Sequence, residues 1–319
     1  MNSGIPTCRE VERDLVAVAA SEARPAAAHG VERHVAVCRS CRDELQRYRV
    51  LEGMVSDLRR APVPGADPTL ARAELESRLA DIRSRMVTFG IFPSPLGKIL
   101  IARSELGISM VRYIESEGAG RSHLARLAGD NVVEDEAAIE PVYRELLDYL
   151  NARATRLNWP LDLRWARSEF QRRVLSVTAE LPYGAVASYG GIARRIGAPG
   201  SVRAVAQALR HNPLPIVIPC HRVIGSAGDL TGYAGSKIGL KERLLSLEGV
   251  PVGHRAAKIE RSHMYVWIAP DKEYCVPSCG ALSEMPLAQL TLFGSRRHAE
   301  AVGLSPCTSC RPDLHPLSA

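Results

Sequence analysis

Eight cysteines set the tightest limit on how this chain can fold: Cys8, Cys38, Cys41, Cys220, Cys275, Cys279, Cys307 and Cys310. Three lie near the start, one stands alone in the middle and four lie near the end. Paired cysteines at such short spacing read as metal ligation in a reducing, cytoplasmic compartment, where disulfides do not persist. Cys275, Cys279, Cys307 and Cys310 form a four-thiolate set suited to tetrahedral zinc. A tail with so little apolar material needs such a staple to fold. At the front, His34 and Cys38 are four apart, which would place them on one helical face. With Cys41 they could form part of a second zinc set. Met1 to Arg13 lacks a basic stretch followed by an apolar core, so no export signal is expected. The longest apolar runs, such as Leu214 to Ile218, are too short to cross a bilayer, so no membrane partner is expected.

Proline and glycine punctuate the chain at Ala61 to Pro68, and periodicity stops again near Gly249 to Arg255. These breaks predict five segments: a helical zinc domain over 1–61, a linker helix within 62–86, an α/β subdomain over 87–163, a helical subdomain over 164–255 and a zinc-binding domain over 256–319. In the first, Val11 to Ala20 and Arg42 to Leu58 carry apolar residues at helical steps, with Leu45, Tyr48, Leu51 and Met54 on one face. Thr69 to Arg85 reads as a charged helix. Val87–Phe92, Lys98–Arg103 and Gly107–Ile114 are β-rich runs, followed by an amphipathic helix through Ile139, Val142, Leu146 and Leu150. Ser168-Glu169-Phe170-Gln171 has the form of a capping box. Ser188 and Ser201 are placed to cap Tyr189–Ile196 and Val202–Arg210, joined by Gly197-Ala198-Pro199-Gly200. That is a helix-turn-helix shape, a common way to present a helix to DNA. Charge agrees: residues 164–255 hold 13 Lys+Arg against 5 Asp+Glu, whereas residues 87–163 hold 8 against 11. The basic excess of the chain, +6 overall, is concentrated where one face would meet phosphates.

The lone central cysteine sits in Ile218-Pro219-Cys220-His221-Arg222-Val223. Pro213, Pro215 and Pro219 force a sharp bend there, and a bend can aim adjacent side chains into one cleft. The imidazole of His221 can take the thiol proton directly or through a water. A carboxylate must then orient that ring, and Glu248 and Glu242 are the downstream candidates.

Pro219-Cys220-His221-Arg222-Val223 resembles the active-site signature of the O6-alkylguanine-DNA alkyltransferases, and residues 87–255 look like the whole family module. The resemblance implies an α/β plus α fold, in which an RNase-H-like α/β subdomain precedes a winged-helix-like helix-turn-helix subdomain. It implies single-turnover S-methyltransferase chemistry on double-stranded DNA carrying alkylated guanine. Cys220 would be the alkyl acceptor, His221 the water-mediated base and Glu248 the third member of the relay. Asn212 would brace the bend, and Tyr189 would hydrogen-bond the leaving guanine. Arg203 would fill the gap left by the flipped nucleotide. Tyr233, Ala234 and Gly235 would form the pocket wall. Ala204, Ala206 and Ala208 would let the helix approach the minor groove closely.

The flanks carry resemblances of their own. Tyr274-Cys275-x-Pro277-Ser278-Cys279 and Pro306-Cys307-x-x-Cys310-x-Pro312-Asp313 are similar to the metal-binding domain of Ada, which implies zinc and makes Cys275 a second methyl acceptor, from phosphotriesters. Residues 256–319 are electrically neutral, with 6 Lys+Arg and 6 Asp+Glu, which suits a phosphate backbone poorly. His34 to Cys41 resembles the signature of anti-sigma-factor zinc domains, in which Cys8 would be the fourth ligand; the resemblance implies a sigma-factor partner for residues 1–61 or a redox-responsive zinc, with a remnant serving as a scaffold equally open. The alternative to repair is accordingly a regulatory protein in which alkylation changes binding to DNA or to a sigma factor.

Overall fold

A computed structural model describes residues 6–60, 68–233, 237–253 and 257–317. The proline-rich segment 61–67 and two of the expected pocket residues, Ala234 and Gly235, lie outside the described residues. Two compact units are present, Met1–Glu76 and Ser77–Ala319.

The first unit is built from α1 (Cys8–Ala19), α2 (Pro25–Val37) and α3 (Arg39–Arg60). Thr7 and Glu10 form a capping box that starts α1. Val11, Leu15, Val31, Cys41 and Leu45 make its small core. The apolar face expected along α3 is only half used: Leu45 is buried and Tyr48 packs against the core, while Leu51 and Met54 are exposed. The cause is length. The 22 residues of α3 outrun the 12 and 13 of its neighbours, so at 1.5 Å per residue its second half extends beyond them. A further helix, α4 (Pro68–Arg85), follows.

The second unit opens with a four-stranded sheet in the order β3-β2-β1-β4, from β1 (Val87–Phe92), β2 (Ile99–Ser104), β3 (Gly107–Tyr113) and β4 (Val132–Glu134). The first three strands run antiparallel, and β4 adds in parallel to β1. Helix α5 (Glu117–Ala128) is capped by Ser116 and α6 (Glu136–Leu150) by Asp135. Ile139, Leu146, Tyr149 and Leu150 bury the inner face of α6.

Next come α7 (Glu169–Ala179), β5 (Ala185–Ser188), α8 (Tyr189–Arg195), α9 (Val202–Arg210), β6 (Val223–Ile224) and α10 (Ile238–Leu247). Ser168 and Ser188 cap α7 and α8 through the amides of Gln171 and Gly191. Ser201 stands at the start of α9 but makes no side-chain capping bond. Gly197, at φ +72, supplies the left-handed turn between the two helices. The expected capping box closes only halfway: Gln171 Oε1 accepts from the Arg167 amide (2.6 Å) and not from that of Ser168, while its Nε2 donates to the carbonyls of Ala208 (3.0 Å) and His211 (3.1 Å), tying down the end of α9.

The chain then forms a hairpin of β7 (Val252–Gly253) and β8 (Lys258–Ile259) across the expected break at 249–255. It continues through β9 (Tyr265–Trp267), β10 (Glu273–Cys275), β11 (Thr291–Phe293), α11 (Arg296–Glu300) and β12 (Ser305–Pro306). These strands join β5 and β6 in one six-stranded sheet, ordered β12-β10-β9-β11-β5-β6. Among the described residues no helix is long and apolar enough to cross a membrane.

Candidate active site

The bend around Cys220 is held by backbone and side-chain bonds together. The Cys220 amide donates to Ile218 O at 2.7 Å. Asn212 donates through Nδ2 to Ile218 O (2.9 Å) and to Cys220 Sγ (3.3 Å), while its Oδ1 accepts from the Leu214 amide (2.9 Å). Ile216 is held at φ +77, a conformation that costs a β-branched residue about 1–3 kcal/mol and persists only where surroundings over-determine it. Cys220 begins a 3-10 turn, Cys220–Arg222, that leads into β6.

His221 and Glu248 are fully buried, and His221 Nε2 lies 2.7 Å from Glu248 Oε1. Among the described residues Glu248, not Glu242, is the carboxylate bonded to His221. Glu248 accepts much more: Arg222 Nε at 2.7 Å on Oε2, Arg222 NH2 at 3.0 Å on Oε1, the Tyr149 hydroxyl on Oε1 and the Gly184 amide at 3.3 Å on Oε2. Burial would push this carboxyl up, but the charges and hydrogen bonds of His221 and Arg222 outweigh it and hold the group far below the usual carboxylate range. Arg222 already neutralises the carboxylate, so burial keeps His221 below its ordinary value despite Glu248. A neutral ring beside a carboxylate carries its proton on Nε2. That leaves buried Nδ1, which has no protein partner, as the basic atom.

The sulfur is not sealed in. Cys220 is 7% exposed and lines a cavity of about 610 Å³ together with Tyr113, Asn212 and Pro215. The same wall carries Arg112, Arg126, Arg167, Arg210 and Lys237 against one acid, Glu115, a lining suited to phosphates. Burial pushes the thiol pKa up, only partly offset by the Asn212 bond, the Lys241 charge and its own amide. The resting sulfur is therefore a thiol, not a standing thiolate.

Tyr233 is buried, with its hydroxyl 3.1 Å from that of Tyr113. Tyr189 donates to Thr231 O at 3.2 Å. On α9, Arg203 and Ala204 are exposed, whereas Ala208 faces the core and Ala206 is half-buried. Of the three alanines expected to approach DNA, Ala204 alone is fully exposed, because the buried face of α9 is set by Val205, Ala208 and Leu209.

The sequence reading gave no role to Arg222, Tyr149, Tyr113 or Lys241. Lys241 is fully buried, donating to the carbonyls of Val223 and Thr231 (3.0 Å for the latter), and burial lowers it to about 8. It had a signal: a lysine in register with Ile238, Leu244 and Leu245 on the buried face of α10. Tyr149 had none, since an aromatic on an amphipathic face is ordinary core.

Two families of sulfur ligands also converge. The ligand atoms of Cys8, His34, Cys38 and Cys41 lie within 4.8 Å of one another, and so do those of Cys275, Cys279, Cys307 and Cys310. His34 and Cys38 keep their helical i, i+4 relation at the end of α2: the Cys38 amide donates to His34 O at 2.9 Å, and Cys38 is the extended C-cap. Arg42 stabilises the turn out of α2 by bonding the carbonyls of Val35 and Ala36. His34 Nδ1 is 2.6 Å from Pro6 O, while its buried Nε2 has no protein partner. This fixes the tautomer with the Nε2 lone pair free, as a metal-ligating histidine requires.

Comparison with known proteins matches residues 87–163 to the family model for the 6-O-methylguanine DNA methyltransferase ribonuclease-like domain. Residues 169–250 match the DNA binding domain of the same family. A methylated-DNA–protein-cysteine methyltransferase of Methanosarcina acetivorans is 39% identical over 161 residues, which are 50% of this chain and 97% of that protein. The chain belongs to this family. The inducible methyltransferase of Bacillus subtilis is 42% identical over 123 residues, 39% of this chain and 67% of that protein. The crystal structure of the Mycobacterium tuberculosis O6-methylguanine methyltransferase has 38% identity and a TM-score of 0.45, covering 51% of this chain and 93% of that one. In this methyltransferase both cysteine clusters lie outside the matched residues 87–250.

Proposed function

We propose that this protein repairs DNA by moving the alkyl group of O6-alkylguanine onto Cys220, once per chain. The observation that carries this reading is the buried His221–Glu248 pair beside a thiol that opens on a basic cavity, inside the family's matched residues. The chemistry follows from the geometry. The Cys220 proton passes to His221 Nδ1, directly or through a water, and Glu248 stabilises the imidazolium that results. Sulfur attacks the alkyl carbon; the C–S bond forms, the C–O6 bond breaks and its electron pair stays on the base, whose anion takes the proton released from His221 at N1 to give guanine. Net, a thiol and O6-methylguanine become S-methylcysteine and guanine. No group at the site can cleave the thioether, so the chain is consumed.

Desolvation holds the proton on sulfur until a base lies in the cavity, and Asn212 and Lys241 favour the charged form when the proton leaves. The target is stacked within a duplex and must be extruded; exposed Arg203 on α9 is placed to occupy the gap, with Ala204 beside it. Tyr189, Tyr233, Ala234 and Gly235 are assigned to the wall around the extruded base from sequence; neither tyrosine lines the cavity at Cys220.

Both ligand clusters are suited to zinc as structural staples, held by Cys8, His34, Cys38 and Cys41 and by Cys275, Cys279, Cys307 and Cys310. Zinc there supplies cross-linking of short segments and keeps the sulfurs deprotonated. Cys307 is buried, and Cys275 shares its intermediate exposure with Cys279 and Cys310, so exposure does not single Cys275 out, which supports a structural role for it over a second acceptor. The regulatory reading, with a sigma factor bound to residues 1–61, draws no support from the matched relatives. Incubation with a duplex bearing labelled O6-methylguanine tests the proposal: label should enter the wild-type chain and not Cys220→Ala, and equal labelling of the two would overturn it.

A further inference from the structure

The family match ends at residue 250, yet the chain beyond it returns to the back of Glu248. Strand β11 pairs with β5 in the register Thr291–Ala187, Leu292–Val186 and Phe293–Ala185. Just past it the Gly294 amide donates to Gly184 O at 2.9 Å. Gly184 is the residue whose own amide donates to Glu248 Oε2. Gly294 also presses on the residue that follows Glu248: a Cβ at Gly294 would lie 2.3 Å from Gly249 O. The ring of His298, on α11, covers the same spot. A Cβ at Gly184 would lie 2.1 Å from His298 Nδ1, and one at Gly249 would lie 3.3 Å from its Cε1. Edge-to-face contact with Tyr183, centroids 5.5 Å apart, fixes the ring's tilt, and Ser295 caps the helix that carries it.

We infer that the segment 291–300 is a clamp on the relay, with His298 and Gly294 as positioning residues that hold Gly184 and Gly249, and through them the Glu248 carboxylate, against His221. The inference rests on the alkyl-transfer reading. Two features make the contact more than filling. It touches both backbone points that fix Glu248 from outside the His221–Arg222 side. It also needs glycine at three positions, since a side chain at any of them would meet the facing backbone or ring. The clamp is built from the same sheet that holds Cys275 in β10, so the far end of the chain is part of the reactive centre and not an appended module.

The test uses the full-length protein and compares single-turnover alkylation of Cys220 on O6-methylguanine duplex and on free O6-benzylguanine. Letting Gly184 and Gly249 shift moves the Glu248 carboxylate itself off His221, and weakening that charged hydrogen bond corresponds to about tenfold in rate. His298→Ala is expected to slow both substrates by about tenfold, with affinity for undamaged duplex unchanged. His298→Phe, which keeps a flat ring over Gly184, is expected to recover most of the loss, and a general loosening of the fold would not be rescued in this way. Gly294→Ala, which forces the two backbones apart, serves as an independent second variant and should slow both substrates alike. Circular dichroism establishes which variants are folded. Any folded variant of the two with rates within twofold of wild type on both substrates overturns the clamp, as does slowing confined to the duplex. If neither folds, His298→Phe decides, and a rate below a tenth of wild type on both substrates then counts against ring packing. A wild-type chain that takes no alkyl group would instead defeat the alkyl-transfer reading itself.

Discussion

Tyr149→Phe separates what holds Glu248 from what the relay needs. The substitution deletes one hydroxyl from a fully buried ring and leaves the shape intact. That hydroxyl donates to Glu248 Oε1 and accepts from Arg222 NH2 at 3.0 Å. Arg222 still reaches Glu248 through Nε at 2.7 Å and NH2 at 3.0 Å, and His221 Nε2 remains at 2.7 Å. The loss is therefore one hydrogen bond to a charged group, about 1.5–3 kcal/mol, rather than the larger penalty of an unpaired buried charge. Urea denaturation should show a lowered midpoint at constant slope. The melting temperature should fall by about 3–12 °C for a unit of this size. Single-turnover alkylation should stay within about threefold of wild type, because the His221–Glu248 bond is untouched. Unchanged stability would show that the hydroxyl is not bonded to the carboxylate. A hundredfold loss of rate at full stability would show that Tyr149 belongs to the relay, and the division of roles argued here would be wrong.

Arg203→Ala should slow repair of a duplex by at least about tenfold, since extrusion costs a few kcal/mol that an inserted side chain offsets, while reaction with the free base stays near wild type; equal slowing of both would remove Arg203 from extrusion. Because burial raises the Cys220 thiol pKa, alkylation of the free base should keep accelerating as pH rises past 8, and a plateau below pH 7.5 would mean a standing thiolate. Stability should fall with acid: the folded-state pKa values of His221 and Glu248 both lie below their ordinary values, so both contributions are present above those values and are lost below about pH 6.5 and 4.5 respectively; a flat stability profile between pH 7 and 4 would contradict the buried neutral His221. Metal analysis should return about two zinc per chain by ligand count, falling to about one in His34→Ala with the alkyltransferase activity intact; one zinc in the wild type would remove a cluster.

Much of this was legible in the chain itself. The β-rich runs from Val87 onward and the capping serines before α7 and α8 carry local signals that the fold obeys. The Cys220–His221 bend was marked by its prolines, and both ligand sets by their spacing. Other features depend on contacts that no local pattern encodes. Tyr149 and Gly184 reach Glu248 from elements distant in sequence. The C-terminal strands join β5 although glycine punctuation at 249–255 reads as a boundary, because short strands of two or three residues carry almost no periodic signal. Ionisation cannot be read from residue adjacency alone, since the desolvation that raises the Cys220 thiol is a property of the packed site.

The most direct test is intact-mass analysis after exposure to excess O6-methylguanine duplex, with peptide mapping of every added methyl. One methyl per chain, on the peptide containing Cys220, is the expected result. A chain that stays unmodified, or that carries its methyl elsewhere while Cys220 remains a free thiol, would contradict the account.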